Sequence, residues 1–149
     1  MQSDSGAAEA AFRKAQTLKP SNAIVLNQLA IALASQESEE KKTQAFEFAQ
    51  MANRLFPDSR SPIGRETGVT LAWVLMRLDR KDAALKQLQM SVQNGPVGPD
   101  ASFFAADVLH NYGKSDTAIQ LLQSAIESGR GVFPAKGQAE DLLRKIRGM

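Results

Sequence analysis

The sequence predicts an all-α fold in which pairs of antiparallel helices stack side by side into a superhelix. A small residue is followed by an apolar or small residue at +4 and a small one at +7, and this pattern occurs four times. The +4 and +7 spacing places the three residues on one stripe of an α-helix, and their small size lets a neighbouring helix approach closely. The four copies are Ala8, Phe12 and Ala15; Ala45, Ala49 and Ala52; Ala84, Leu88 and Ser91; and Ala118, Leu122 and Ala125.

The distance between copies sets the size of the repeating unit. Successive copies start 37, 39 and 34 residues apart, which indicates a base period of about 34 residues with two short insertions. Pro20, Pro57 and Pro96 follow the first three copies at +12 and end those helices, whereas Arg130 stands at the fourth position. One supersecondary unit is therefore repeated along the chain.

Each of the last three copies is preceded by another helix with its own apolar stripe, so a unit is an αα-hairpin. These first-helix stripes are Leu26, Leu29, Ala30 and Leu33; Gly68, Leu71, Ala72 and Leu75; and Ser102, Ala105, Ala106 and Leu109. About eight helices in one domain over residues 1–149 are predicted. They form a half unit over 4–20, full units over 23–59, 60–98 and 99–132, and a last helix over 133–149.

The two insertions fall in predicted loops. The first lies within residues 36–42, between the helices of the first full unit, and the second lies within 58–64, before the next unit. Two interpretations stay open: a solvated loop that has grown longer, which costs little entropy, or a loop at the rim of a binding surface.

The ends of the array differ from its middle. The chain starts on a second-type helix whose apolar stripe, Ala8, Phe12, Ala15 and Leu18, lacks an upstream neighbour. This favours a piece of a longer array, able to form a homodimer through the stripe. At the other end, Phe133–Pro134 opens an amphipathic helix with Ala139, Leu142, Leu143 and Ile146 on its apolar side. A terminal capping helix near the natural C-terminus has this pattern.

Composition and single residues argue against several function classes. The 149 residues carry a net charge of +2, which gives no basic stripe for nucleic acid, and no apolar run is long enough to insert in a membrane. No cysteine is present, and His110 is the only histidine, so no paired metal ligands are expected. Ser102, Asp107 and His110 would lie on adjacent helix faces without an oxyanion hole. We therefore predict no enzyme activity, cofactor or metal.

The repeated residues resemble the tetratricopeptide repeat family, whose second helices carry Ala, Phe, Ala and Pro at these positions. The resemblance covers roughly residues 5–147. It departs from the family pattern in the first helices, where Ala30, Ala72 and Ala106 replace glycine and Leu26, Gly68 and Ser102 stand where the family has Trp. It implies a protein-interaction scaffold, with a partner peptide or amphipathic helix in a concave groove lined by the first helices.

The resemblance also implies which residues line the groove. They are Ile24, Asn27, Ile31, Glu66, Val69, Trp73, Met76, Arg77, Asp100, Phe103, Asp107 and His110. We expect Val69, Trp73, Met76 and Phe103 to be exposed as its apolar centre. The alternatives are that Trp73 and Phe103 fill the core, and that Trp73 forms a cation–π pair with Arg77.

The partner that this groove implies is apolar rather than acidic. The Lys and Asn clamp with which chaperone-binding members of the family hold a C-terminal carboxylate has no counterpart here. Glu66, Asp100 and Asp107 at the rim favour a basic or neutral flank in the partner. The alternative function is a structural cap of a longer array whose ligand sites lie upstream.

The last helix carries one further resemblance. Residues 132–146 are similar to the C-terminal end of bacterial tetratricopeptide proteins found beside exopolysaccharide-export and exosortase systems. That similarity implies an envelope-associated scaffold as the parent protein.

Overall fold

The computed structural model describes residues 4–128 and 136–148, and these ranges form eight helices and no strand. The helices are α1 (Asp4–Leu18), α2 (Ala23–Ala34), α3 (Glu39–Leu55), α4 (Pro62–Arg77), α5 (Lys81–Val92), α6 (Pro99–Asn111), α7 (Ser115–Ser128) and α8 (Lys136–Ile146). The prediction of an all-α array of helical hairpins is confirmed. The expected opening of the last helix at Phe133–Pro134, and Arg130 in the fourth proline position, lie outside the described residues.

Polar caps fix where three of these helices begin. The side chains of Asn22, Ser38 and Ser61 each accept a hydrogen bond from the backbone N–H three residues on, at the starts of α2, α3 and α4. Pro62 follows Ser61 in the first turn of α4, where its missing N–H leaves no helical bond unmade. A cap of this kind contributes about 1 kcal/mol.

The helices pair as α2 with α3, α4 with α5, and α6 with α7, and the pairs pack in chain order. α1 lies against α2, and α8 packs on both α6 and α7. Ala45, Ala49 and Ala52 are fully buried along α3, where their small side chains allow close approach to the first helices. α4 is the central helix, since it contacts α2, α3, α5 and α6.

Gly68 sets the distance between α4 and α5. A Cβ at this position would overlap Ser91 Oγ, so any larger residue would push the two helices apart. Ser91 donates its hydroxyl to Gln87 O at 2.8 Å, which keeps its side chain against α5. The small residues at both positions therefore hold this hairpin tightly closed.

The second insertion is an ordered loop between α3 and α4. Arg65 Nη1 donates to Ser59 O at 3.1 Å and to Arg60 O at 3.0 Å, while its Nε donates to Pro96 O at 2.9 Å. Asn94 Nδ2 also donates to Ser59 Oγ at 2.7 Å. The inserted loop is thus tied to the turn between α5 and α6. Within the described ranges, no helix combines the length and the apolar character needed to cross a membrane.

Candidate partner-binding surfaces

The predicted exposed apolar centre of the groove is wrong. Val69 is 0% exposed, Trp73 6%, Phe103 7% and Met76 8%. These four side chains belong to the hydrophobic core. In the structure Trp73 and Phe103 fill the core, as the alternative interpretation expects.

The central position of α4 explains this burial. Because α4 has neighbours on four sides, every residue from Thr67 to Met76 is buried, and no face is left for solvent. The Trp73 ring packs on Phe104 with centroids 4.7 Å apart, and Phe104 packs on Phe103 at 5.2 Å. Trp73 Nε1 donates to Asp107 Oδ2 at 2.9 Å, so the indole N–H is paired within the junction of α4 and α6.

Arg77 binds α2 instead of stacking on Trp73. Its Nε donates to Ala34 O at 2.8 Å, and its Nη2 donates to Glu37 Oε1 at 2.9 Å. The Arg77 guanidinium lowers the pKa of the Glu37 carboxyl below its usual value. The alternative of a cation–π pair between Trp73 and Arg77 is therefore replaced by a link from α4 to the end of α2 and the α2–α3 loop.

Other polar residues predicted for the groove are also paired within the chain. Glu66 Oε1 accepts from Gly98 N at 2.8 Å, and His110 Nδ1 lies 3.1 Å from Ser115 Oγ. Asp107 accepts from both Trp73 and Asn111. Asp100 is half-buried at the start of α6. Glu66 and Asp107 thereby connect α4 to α6 and to the residue before it.

An exposed stripe does exist on α2. Ile24, Gln28, Ile31 and Ser35 follow one another at helical spacing on one face, with Ile24 61% exposed and Ile31 half-buried. Asn27 is half-buried on the same helix, and its Oδ1 is buried without a hydrogen-bond partner in the described parts of the chain. Of the groove residues predicted from sequence, those on α2 are the ones that combine exposure with apolar character.

A cavity of about 610 Å³ borders this stripe. We call it the α1–α2–α8 cavity: Ala8 and Phe12 line it from α1, Ile31 from α2, and Gly137 and Gln138 from α8. The structure thus joins part of the predicted groove, Ile31, to part of the predicted self-association stripe, Ala8 and Phe12. The other residues of that stripe lie further along α1, where Ala15 is half-buried and Leu18 is 76% exposed.

Two further clefts, neither of them predicted from the sequence, lie between successive second helices. The α3–α5 cleft, about 350 Å³, has Phe46 on α3, Leu71 on the floor helix α4, and Arg80 and Met90 on the far side. The α5–α7 cleft, about 630 Å³, has Leu85 on α5, Ala105 on the floor helix α6, and Lys114, Leu121 and Ser124 on the far side. Aligning the units at these positions shows smaller residues in the second cleft, which is the signal that could have found it.

The described residues offer no arrangement for metal chemistry. Within them, no group of three or more His, Asp or Glu side chains lies close enough together to hold a metal ion.

Comparison with known families assigns the repeats. The family model for the tetratricopeptide repeat matches residues 69–132, from within α4 through α7 and into the segment after it. No curated protein matches the chain. Tetratricopeptide repeats generally mediate protein–protein interactions and typically have no enzymatic activity of their own. The family match over residues 69–132 and the stacked helical hairpins together support a tetratricopeptide repeat array in this chain.

Proposed function

We propose that this protein is a non-enzymatic scaffold that binds a peptide or amphipathic helix of a partner protein against α2, in the α1–α2–α8 cavity. The observation that carries the proposal is the apolar stripe of Ile24 and Ile31 beside a cavity of about 610 Å³. An exposed isoleucine next to a second apolar side chain is the kind of patch on which a partner buries its own apolar residues.

The charges on the neighbouring first helices define the flanks of the partner. Glu66 on α4 and Asp100 and Asp107 on α6 are acidic, and the nearby Arg77 is neutralised by Glu37. A neutral or basic flank is therefore favoured over an acidic one. A C-terminal carboxylate is not required, because the α2 stripe carries no lysine or arginine to hold it.

The buried aromatic residues have a supporting role in this proposal. Trp73 and Phe103, together with Val69 and Met76, fix α4 and α6 relative to each other. They keep the floor of the array rigid without touching the partner. A rigid floor lowers the entropy lost when a partner binds.

The experiment begins with selection of peptides from a random display library on the full chain. A selected peptide is synthesised, and its affinity is measured by fluorescence polarisation for wild type, Ile24→Asp and Ile31→Asp. We expect each variant to weaken binding by about tenfold or more, equivalent to about 1.4 kcal/mol, because an aspartate would be desolvated against apolar side chains.

The matched control is Met51→Asp, since Met51 is an exposed apolar residue on α3, away from the cavity. Binding that is unchanged in both isoleucine variants, or that falls equally in Met51→Asp, would contradict the α2 site. Selected peptides rich in Asp and Glu would contradict the expected charge of the flank.

A second copy of this chain is a second candidate partner for the same cavity. Leu18 is 76% exposed on α1, and Phe12 lines the cavity, so the apolar surface continues along α1. Static light scattering across a concentration series should then show a dimer of the wild-type chain. Phe12→Asp and Leu18→Asp should each weaken this dimer. A dimer that is unchanged by Phe12→Asp would refute self-association through α1.

A further inference from the structure

We propose that the α5–α7 cleft is a second docking site, which accepts a short amphipathic helix of a partner protein that carries an acidic residue. The cleft is formed by α5, α6 and α7, whereas the proposed peptide site is formed by α1, α2 and α8. The two sites share no lining residue. Either one can therefore be tested without the other.

The α5–α7 cleft repeats the position of the smaller α3–α5 cleft. When the two units are aligned on Ala45 and Ala84, Leu85 takes the place of Phe46, and both line the wall of their cleft. The same alignment of the following helices puts Ala105 in the place of Leu71 on the floor, and Ser124 in the place of Met90 on the far wall. At each of these three positions the α5–α7 cleft has the smaller side chain.

The smaller cleft is narrowed by an aromatic side chain. In the α3–α5 cleft, Phe46 lies under the Arg80 guanidinium at 5.3 Å, and Leu71 lies on the floor. The larger cleft lacks this aromatic side chain, and its volume rises to about 630 Å³ from about 350 Å³. An occupant that places a large apolar side chain between Leu85 and Leu121 would restore the packing of the preceding junction.

The walls of the α5–α7 cleft are long enough for a short helix. The lining residues run from Leu85 to Val92 on α5, from Ser102 to Leu109 on α6, and from Thr117 to Ser124 on α7. Seven residues of helix span about 10.5 Å, so each wall is about two helical turns long. A partner helix of similar length presents apolar side chains at i, i+4 and i+7 along one face.

The α5–α7 cleft carries a positive charge. Lys114 is the one charged residue among the described residues that line the cleft. It is exposed, and its Nζ has no hydrogen bond or ion pair within the described ranges, whereas the corresponding Arg80 stacks on Phe46. An acidic residue beside the apolar face of the partner helix would pair with Lys114.

Two synthetic helical peptides test the proposal. Both are about 15 residues long, stapled so that they are helical in solution, and share an apolar face of Leu and Phe at i, i+4 and i+7. One carries Glu beside this face and the other carries Lys. We expect fluorescence polarisation to show the acidic peptide binding wild type about tenfold more tightly than the basic one.

Lys114→Glu should abolish or reverse this preference. Its control is Lys14→Glu, which makes the same change in net charge at an exposed position on α1. Equal shifts in both variants would mean that only the net charge of the protein is sensed, and this would overturn the proposal. An unchanged preference in Lys114→Glu would overturn it as well.

Ala105→Leu provides the second variant, because it places the side chain of Leu71 on the floor of the larger cleft. We expect both peptides to bind about tenfold more weakly, with the helical content of the protein unchanged by circular dichroism. Unchanged binding to the folded variant overturns the proposal. If Ala105→Leu does not fold, the comparison of Lys114→Glu with Lys14→Glu still tests the proposal.

Two further outcomes would assign the peptide to another site or the cleft to another ligand. Loss of acidic-peptide binding in Ile31→Asp but not in Lys114→Glu would place the peptide in the α1–α2–α8 cavity, which would overturn the second site and leave the proposed function standing. Decanoate that binds in a Lys114-dependent manner, while neither peptide binds, would assign the cleft to a small amphipathic anion and overturn the helix proposal.

Discussion

The α3–α5 cleft and the α5–α7 cleft occupy the same place in successive units, yet the protein's own side chains fill more of the first. Phe46 and Leu71 fill the first cleft, and Arg80 covers Phe46. Leu85 and Ala105 stand at the same positions of the second, whose volume is about 630 Å³ against about 350 Å³ in the first. The comparison shows that the repeat fixes the helix positions, while the residues between neighbouring units decide how much space a junction leaves.

The junction before these two is closed in a third way. Glu9 accepts from Lys41 Nζ at 2.8 Å and from Gln36 Nε2 at 2.9 Å, and Arg13 donates to Gln44 at 2.7 Å. The hydrogen bond from Lys41 is the largest cause that lowers the pKa of Glu9 to about 2. A polar network thus links α1 to the α2–α3 hairpin. At the next junction, the α3–α5 cleft, an aromatic ring takes this role.

Leu71→Ala should give the largest effect, because it turns the floor of the closed cleft into that of the open one. Removing this buried side chain leaves a cavity, and we expect the free energy of unfolding to fall by about 2–4 kcal/mol. Urea unfolding followed by Trp73 fluorescence measures the change. Leu85→Ala is the control: Leu85 is half-buried beside existing space, so a loss of about 1 kcal/mol is expected. Equal losses would show that the two clefts do not differ.

Glu9→Gln should destabilise the protein by about 1–2 kcal/mol at pH 7, since Lys41 and Arg13 are 38% and 43% exposed and solvent screens their attraction. The pKa of Glu9 is about 2 in the folded chain and 4.5 ordinarily, so its pairing contributes stability above pH 4.5 that is lost as the pH falls through about 2.

Urea unfolding of wild type and Glu9→Gln at several pH values checks this dependence on pH. The difference between them should be full at pH 7 and should vanish near pH 2. Glu47→Gln, at an exposed position on α3, is the control and should show no such dependence. A difference that persists undiminished at pH 2 would rule out the ionic origin.

Arg80→Gln tests the cover of the closed cleft. It removes the cation over the Phe46 ring, and we expect a loss of about 0.5–1 kcal/mol. The matched change in the open cleft is Lys114→Gln, where no partner within the described residues is lost, so the free energy of unfolding should stay within about 0.5 kcal/mol of wild type. Thermal unfolding of both variants separates them, and a larger loss in Lys114→Gln would contradict the comparison.

Ala105→Leu should give the smallest effect and the opposite sign. The added side chain enters existing space, so we expect the free energy of unfolding to rise by about 0.5–1 kcal/mol. Urea unfolding measures this gain. A loss of the size that overpacking causes, about 2 kcal/mol, would mean that α6 has no room beside Ala105 and that the open cleft does not extend to its floor.

The periodic positions were the part of the fold that the sequence predicted well. Small residues such as Ala45 and Ala84 pack at helix contacts wherever they recur, because only a small side chain permits close approach. The exposure of the residues predicted to line the groove could not be derived from this periodicity. Trp73 and Phe103 lie off the inward stripe of their helices, and a stripe identifies one buried face without showing how many neighbours a helix has.

The sequence by itself determined the unit, its length and the all-α superhelix, since helical spacing and proline breaks act within a few residues of each other. The tertiary structure decided what each surface offers. It buried Trp73 in the centre, joined Phe12 to Ile31 around one cavity, and left space between Leu85 and Leu121. These outcomes depend on contacts between residues far apart in the chain, and on the volumes that meet there.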